Sequence, residues 1–525
     1  MRRVLLSSVL LLFSIILNAQ GWGQIQKIVP ADREQADYFG YAVTMSGDYA
    51  VIGAHWDDVT TSNMGSAYVY KKDVNGNWIE HQNLTAPDKR QNDQFGYSVA
   101  IHGNYLIVGA IGQSYNAANS SYIQAAGAAY IYEKDTNNNW NFVQKIVASD
   151  REYINQFGYA VDLNGNYAIV SPVRHDYDAS GNNFQDDAGA VYVFERDGSG
   201  TWSEVQKIVA SDRTAFDYFG QTGLAVDGNY IVVGSVGDDE DDNGSNFLSS
   251  AGSAYIFERD GSGIWNEIQK IVNSDREAGD TFGRTVTIDG NYLVVGADYE
   301  DEKGNAAGAA YVFEKQTNGT WNHSQKLTAT NGAADDHFGR DVDMDDNYII
   351  IGSHLNDIGS PGDNGAAYIF ENQDGVWNET AFIYDAFNQT SEYFGYTVAI
   401  SGDFAIVGAY EDGYDENEEN ELVGAGAAFI FDANEPYTLS VIENDLENTI
   451  KAYPNPVINS LTIDLGSFHE TTQIKIHNVL GQNILSKNYT NSRIIELEFN
   501  LSKGIYLVEV KVNNENTSVL KIVKH

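Results

Sequence analysis

Residues 265–297 read WNEIQKIVNSDREAGDTFGRTVTIDGNYLVVGA. Trp265 opens one alternating apolar segment, Phe282-Gly283 follows it, and Asp289-Gly290-Asn291 separates two more apolar segments. A short Gly-containing turn between alternating runs is the signature of a tight β-hairpin. The passage recurs seven times. Its phenylalanines are Phe39, Phe95, Phe157, Phe219, Phe282, Phe338 and Phe394, a near-regular series with three shorter and three longer steps. Trp22, Trp78, Trp140, Trp202, Trp265, Trp321 and Trp377 stand ahead of their Phe-Gly pairs by one interval that never changes. Each unit reads as four short strands, in the fifth Thr285–Ile288, Asn291–Gly296, Ala309–Glu314 and Trp321–Leu327.

Four antiparallel strands repeated at this period predict an all-β, seven-bladed propeller, with a solenoid as the runner-up. The ends of the array favour the propeller. Trp22 opens a Trp-type strand with no unit before it, and the seventh unit, ending near Asp432, has no Trp-type strand after it. If residues 22–29 complete the seventh blade, the ring closes and no sheet edge is left open. The expected organisation is a signal peptide over residues 1–19, the propeller over 20–432, a linker over 433–449 and a small Ig-like β-sandwich over 450–525.

Composition limits the function. With 31 Lys+Arg against 74 Asp+Glu the net charge is −43, which opposes binding to nucleic acid or anionic lipid. The absence of cysteine removes disulfides, thiolate metal sites and cysteine nucleophiles. Met1-Arg2-Arg3, the apolar run Val4–Leu17 and the small Ala19 have the layout of a secretory signal peptide, so no membrane span is expected after its cleavage.

The repeat array, residues 22–432, resembles the FG-GAP repeat family, the propellers of integrin α-subunit heads and of many bacterial surface proteins. The resemblance rests on Phe-Gly followed at a fixed distance by a Gly-Ala pair, as in Gly53-Ala54, Gly109-Ala110, Gly296-Ala297 and Gly408-Ala409, from which Ser171-Pro172 departs. It implies a fold and a binding role more than a chemistry. Residues 448–525 hold 8 Lys+Arg and 6 Asp+Glu, unlike the acidic array, and mark a separate module. Tyr453-Pro454-Asn455-Pro456, Asn478-Val479-Leu480-Gly481-Gln482, Leu501-Ser502-Lys503-Gly504-Ile505-Tyr506 and Lys521-Ile522-Val523-Lys524 resemble the sorting domain of the type IX secretion system. That resemblance implies the type IX machinery as a partner, and an extracellular or outer-membrane-surface location on a Gram-negative bacterium.

Most of the length variation falls in the loops between strands 2 and 3. The step from the position closing strand 2 to the Gly opening strand 3 is short in Gly53–Gly65, Gly296–Gly308 and Gly352–Gly365. It is longer in Gly109–Gly127, Ser171–Gly189, Gly234–Gly252 and Gly408–Gly426. In a meander these loops share a face with the 4–1 connections, so a glycan or protein ligand is expected there. Two places before each Phe stand Asp37, Asp93, Asn155, Asp217, Asp280, Asp336 and Glu392. They are ligand-face candidates, with turn support as the competing reading, in which Arg33, Arg151, Arg213 and Arg276 pair with the residue at this position of their own unit. Tyr177, Tyr299 and Tyr414 fall in the loops and join the candidates. The tyrosines in strand register, such as Tyr68 and Tyr130, are expected to fill space between blades.

Calcium is the one cofactor the residues suggest. The FG-GAP family carries Asp-rich calcium loops between strands 1 and 2, but those connections are short hairpins here, so the family's sites do not transfer. Asp176-x-Asp178-x-Ser180-Gly181 with Asp187, and Asp239-x-Asp241-x-Asn243-Gly244, have suitable spacing for a hard cation, and an acidic solvated loop accounts for them equally. No hydrolase, phosphate-loop or dinucleotide motif is present. Asp73, Asp135, Asp197 and Asp260, each shortly before a Trp, resemble the Asp-box turns of sialidases and read as hairpin supports. The expected function is noncatalytic binding or adhesion. A polysaccharide-cleaving, sialidase-like enzyme and a structural surface component stand as alternatives.

Overall fold

The computed structural model describes residues 21–58, 62–357, 362, 364–385, 392–435, 451–453, 457, 460–478, 483–499, 501, 503–512 and 516–524. The signal peptide, most of the linker, and Pro454–Pro456, Val479–Gln482 and Ser502 of the C-terminal motifs lie outside them. Every regular element among the described residues is a β-strand. The chain divides into two units, one ending at Tyr437 and the other beginning at Thr438.

The first unit consists of seven four-stranded antiparallel sheets, in six of which the strands follow chain order. The fifth blade holds Val286–Asp289, Tyr292–Ala297, Ala309–Lys315 and Trp321–Leu327, in the expected places. The seventh holds Thr397–Ser401, Phe404–Ala409 and Ala427–Asp432, and its fourth strand is Gly23–Ile28, paired antiparallel with Ala427–Asp432. The ring is therefore closed by the N-terminal strand, and the solenoid reading is excluded.

The Phe-Gly pair is an interblade contact. Phe282 N–H donates to the Ala251 carbonyl of the preceding blade at 3.0 Å, and its fully buried ring stands edge-on to Tyr311 at 5.5 Å. Gly283 has φ +93°, and a Cβ there would lie 2.3 Å from the Ser253 carbonyl oxygen, so only glycine fits. The strand-2 glycine is the other half of this contact: a Cβ on Gly234 would meet Gly283 O at 1.9 Å.

At the outer rim a second device repeats. The fourth strand carries a bulge at the same place in every blade, for example between Ile256 and Phe257 of the paired strand. The glutamine at this place turns to the next blade and grips a tryptophan backbone from both sides. Gln206 Nε2 donates to Trp265 O at 2.8 Å, and Trp265 N–H donates to Gln206 Oε1 at 2.9 Å. The same amide clamp joins Gln26 to Trp78, Gln82 to Trp140, Gln144 to Trp202, Gln269 to Trp321 and Gln325 to Trp377. Ala381 holds the glutamine's place opposite Trp22. Each indole also stands edge-on to a strand-2 ring, as Trp265 does to Tyr167 at 5.4 Å.

The C-terminal unit is built on Ser460–Asn478, a 19-residue strand where two separate strands, Leu461–Leu465 and Gln473–His477, are expected from the sequence. Its first half pairs with Lys451–Tyr453 and its second half with Gly504–Val512, while Asn483–Glu498 runs along both; Asn516–Lys524 adds to the far edge. The pairing slips between Asp464 and His469. Leu461, Ile463 and Leu465 from one half and Ile474 and Ile476 from the other enter one core with Val508, Val510 and Ile522, which requires the strand to bend there.

Candidate functional site: the mouth of the channel

The acids before Phe-Gly are the innermost part of the 4–1 loops. Asp37, Asp93, Asp217, Asp280, Asp336 and Glu392 are all buried. Each of the five aspartates accepts a backbone N–H from just upstream, for instance Asp93 Oδ2 from Arg90 at 2.8 Å and Asp280 Oδ2 from Glu277 at 2.8 Å. Burial pushes the carboxyls of Asp37, Asp93 and Asp217 up to about 7. They hold turns and do not present a charged ring to solvent.

The arginines do not pair with them. Arg213 donates from Nη2 to the Asp176 carbonyl at 3.0 Å and from Nη1 to the Asn183 carbonyl at 2.7 Å, spanning the long loop of the preceding blade. Arg276 does the same to Asp239 and Asn246, Arg151 to Ser114 and Ser121, and Arg33 to Gly413 and Asn420. These are the four longer loops; in the three short-loop units Lys89, Gly332 and Asn388 stand at the arginine's place. The arginine thus goes with the loop, because a longer excursion leaves backbone carbonyls without strand partners and a guanidinium fork satisfies two of them.

The arginine also bears on the calcium candidates. Asp178 turns back on its own loop, accepting N–H from Ser180 at 2.8 Å and from Asn182 at 3.0 Å, and with the Ser180 hydroxyl these bonds hold its carboxyl below the usual range. Asp241 caps Asn243 and Ser245 alike. Asp176 Oδ1 accepts the Asp187 N–H at 2.9 Å, and Asp239 Oδ1 accepts the Ser250 N–H at 2.6 Å. Asp176 and Asp187 do approach each other, with Asp186 rather than Asp178 or Ser180, and the Asp176 carbonyl is already held by Arg213. The Asp-x-Asp spacing builds a tight hairpin, and so do the Asp-box-like residues: Asp73 accepts N–H from Asn75 and Asn77.

What the sequence reading missed lies at the axis. The residue after each Phe-Gly leads into the innermost strand, and Tyr41, Tyr97, Tyr159, Arg284, Arg340 and Tyr396 line the mouth of a central cavity of about 350 Å³. Because strand 2 returns to the same face, residues just past its end join them. Tyr41 lies 4.2 Å from His55, 5.1 Å from Tyr97 and 5.3 Å from Tyr396 between ring centroids; Tyr97 lies 4.9 Å from Tyr159. Tyr396 continues to Tyr410 at 4.6 Å, and Tyr410 to Tyr38 at 5.5 Å, which in turn meets Trp56 at 4.8 Å. The Tyr and Trp residues of this belt are half-buried, so each keeps an open surface. Arg340 stacks 4.3 Å over Tyr396, and Asp298 stands 3.7 Å from Arg284 and 3.9 Å from both Arg340 and His337. Of the predicted tyrosines, Tyr299 packs 4.6 Å from His337 at the edge of this belt, Tyr177 packs on Phe184 in its own loop, and Tyr414 N–H caps Asp412.

Deeper in, Asp162, Asp341 and Asp343 line the channel. Each takes a backbone N–H from the next blade's innermost strand, which has no further strand to pair with: Asp162 from Val226 at 2.7 Å, Asp341 from Val398 at 2.9 Å and Asp343 from Ile400 at 2.9 Å. Burial raises these carboxyls to about 7, 6 and 8. One signal for the site was in the sequence: the residue after Phe-Gly is aromatic or basic in six of seven units, with Gln221 the exception.

Fold and site together define a closed seven-bladed propeller with its long loops and a ring-lined channel mouth on one face, and a separate β module in the same chain. The chain belongs to the FG-GAP repeat family, which matches residues 22–70, 78–132, 140–194, 202–257, 265–313, 321–370 and 377–431. Residues 451–525 match the secretion system C-terminal sorting domain, so this is a secreted propeller protein sorted by the type IX system. No curated protein matches the sequence. Among solved structures, the crystal structure of a protein from Lactobacillus plantarum is similar at 13% identity and a TM-score of 0.39, covering 66% of this chain and 88% of that one.

Proposed function

We propose that this protein is a noncatalytic binding protein displayed on or released from the surface of a Gram-negative bacterium, and that it takes a glycan at the channel mouth. The observation that carries the reading is the run of half-buried rings from Trp56 through Tyr38, Tyr410, Tyr396, Tyr41 and Tyr97 to Tyr159. Core rings are covered on both faces; these are presented at a concave opening on the side that bears the variable loops. Aromatic plates beside hydroxyl, carboxylate and guanidinium groups suit the alternating C–H faces and hydroxyls of sugar rings.

The test is a glycan array probed with the mature protein, followed by titration of the best ligand. Tyr41→Ala and Trp56→Ala are each expected to weaken binding by about 2- to 12-fold, the worth of one aromatic contact. Unchanged affinity in both variants would place the ligand elsewhere. Capture of a protein ligand with no glycan binding would replace the glycan reading, and turnover of a bound polysaccharide would replace the noncatalytic one.

A further inference from the structure

The rings of the channel mouth come from blades one, two, three and seven; blades five and six put a different chemistry there. At the place after Phe-Gly, where Tyr41, Tyr97, Tyr159 and Tyr396 stand, these two blades carry Arg284 and Arg340. Both line the central cavity, with side chains 25% and 14% exposed. In a chain of net charge −43, two guanidiniums side by side at one opening are a departure from the rest of the surface.

Most arginines of the propeller hold the protein itself. Arg33, Arg151, Arg213 and Arg276 bind loop carbonyls, and Arg196 and Arg259 lie 3.8 and 3.7 Å from Glu133 and Glu195. Neither Arg284 nor Arg340 makes a side-chain hydrogen bond to any described residue. Asp298 stands between them, 3.7 Å from Arg284 Nε and 3.9 Å from Arg340 Nη1, too far for a hydrogen bond to either. It is buried, and its Oδ1 accepts the Thr281 hydroxyl at 2.8 Å. Asp341, next in the chain to Arg340, is engaged by other donors on both oxygens. Its Oδ1 accepts from the Thr285 hydroxyl and the Val342 N–H, each at 3.1 Å, and its Oδ2 from the Val398 N–H at 2.9 Å. Two guanidiniums thus flank one carboxylate without bonding to it, and their N–H groups turn to the cavity.

The other blades serve as internal controls. Two places after the glycine position of strand 2 they carry His55, Ile111, Val173, Val236, His354 and Tyr410, where blade five has Asp298. The one acid at this place therefore occurs beside the two arginines, set where it holds the forks apart. A guanidinium presents parallel N–H donors in one plane, which matches a carboxylate and is most effective where water is partly excluded. Repulsion of an anion by the acidic surface is screened beyond a Debye length of about 8 Å at physiological ionic strength, so contact inside the cavity is decided by the groups that line it. Arg340 also stacks 4.3 Å over Tyr396, one of the rings of the aromatic run. A sugar laid against those rings brings its substituents to the guanidiniums.

We propose that the channel mouth takes an acidic glycan, with Arg284 and Arg340 binding the carboxylate of a sugar acid while the rings from Tyr396 to Tyr41 receive the sugar faces. This inference rests on the glycan reading above and narrows it to a class of sugar.

The test probes a glycan array with the mature protein twice, the second time after methyl esterification of the carboxyl groups of its uronate- and sialate-bearing members. Esterification removes the charge and leaves the sugar ring. Binding should concentrate on carboxylated members and fall by about 10-fold or more on esterification, the worth of one charge-assisted hydrogen bond. Arg284→Gln and Arg340→Gln should each weaken binding of the acid and leave binding of the ester unchanged. If one variant fails to fold the other is read alone, and the comparison of acid with ester needs neither. The inference is overturned, with the glycan reading intact, if esters or neutral glycans bind as tightly as the acids, if sulfated members alone bind, or if both variants keep the full preference for the acid. Absence of binding to every member of the array would remove the glycan reading itself, and this inference with it.

Discussion

Replacing Gln206 by alanine removes both ends of one interblade clamp. The amide gives one hydrogen bond to Trp265 O at 2.8 Å and takes one from Trp265 N–H at 2.9 Å, in a half-buried setting. Two such bonds contribute about 0.5–1.5 kcal/mol each, and leaving the Trp265 backbone groups without partners between two blades adds to the cost, so the loss is expected at about 2–4 kcal/mol. Equilibrium urea denaturation of the mature protein, followed by tryptophan fluorescence, should show a lower midpoint with an unchanged slope. Gln206→Glu separates the two halves. It keeps the acceptor for Trp265 N–H but sets a carboxylate oxygen against Trp265 O, and it should be at least as damaging as alanine. A cost below about 0.5 kcal/mol for both variants would mean that water replaces the amide freely and that the clamp does not hold the blades together. The reciprocal change, Ala381→Gln, would supply the seventh clamp opposite Trp22 and is expected to stabilise by about 1 kcal/mol.

Other outcomes follow from the same contacts. Arg213→Ala frees the carbonyls of Asp176 and Asn183, so limited proteolysis should cut the 171–189 loop faster than wild type while the rest of the propeller resists. Gly296→Ala puts a Cβ 2.3 Å from Gly339 O and 2.6 Å from Thr285 Cγ2, and should cost more than about 3 kcal/mol or abolish soluble expression. Asp343 titrates near 8 in the fold against 3.8 unfolded, so the folded protein holds its proton more tightly; its contribution to stability is full below about pH 4 and is lost as pH rises through 8. Asp343→Asn should flatten that decline between about pH 4 and 8 by on the order of 1–2 kcal/mol, since the carboxyl lines a channel that solvent reaches; an unchanged pH profile of thermal unfolding would refute the assignment.

Much of the architecture was legible because a repeat writes each constraint seven times. A Phe-Gly at fixed distance from a Trp fixes one strand's start against another's, and the missing Trp strand at one end of the array matched the surplus at the other. Even an exception is consistent. Ser171, which stands where strand 2 otherwise carries a glycine, faces Gly220 of the fourth blade, whose innermost strand contains one extra residue and a bulge between Phe219 and Leu224. The site was less legible. The Asp-x-Asp spacing looks the same whether the oxygens gather round an ion or cap their own loop, and only the fold shows Arg213 already on the Asp176 carbonyl. The acid before Phe-Gly is equally ambiguous until an upstream backbone N–H, such as that of Arg90 on Asp93, is seen to bind it.

The sequence by itself determined the strand periodicity, the number of blades, the closure by residues 23–28 and the identity of the sorting module, because each depends on local pattern and on spacing along the chain. Tertiary structure alone decided which side chains meet. Tyr41 and Tyr396 stand near opposite ends of the repeat array, yet their rings lie 5.3 Å apart because ring closure makes the first and last innermost strands neighbours. Lys27 reaches Asp412 for the same reason. A closed ring converts sequence distance into angular distance around an axis, so the channel mouth and the Lys27–Asp412 pair exist only once the circle is complete.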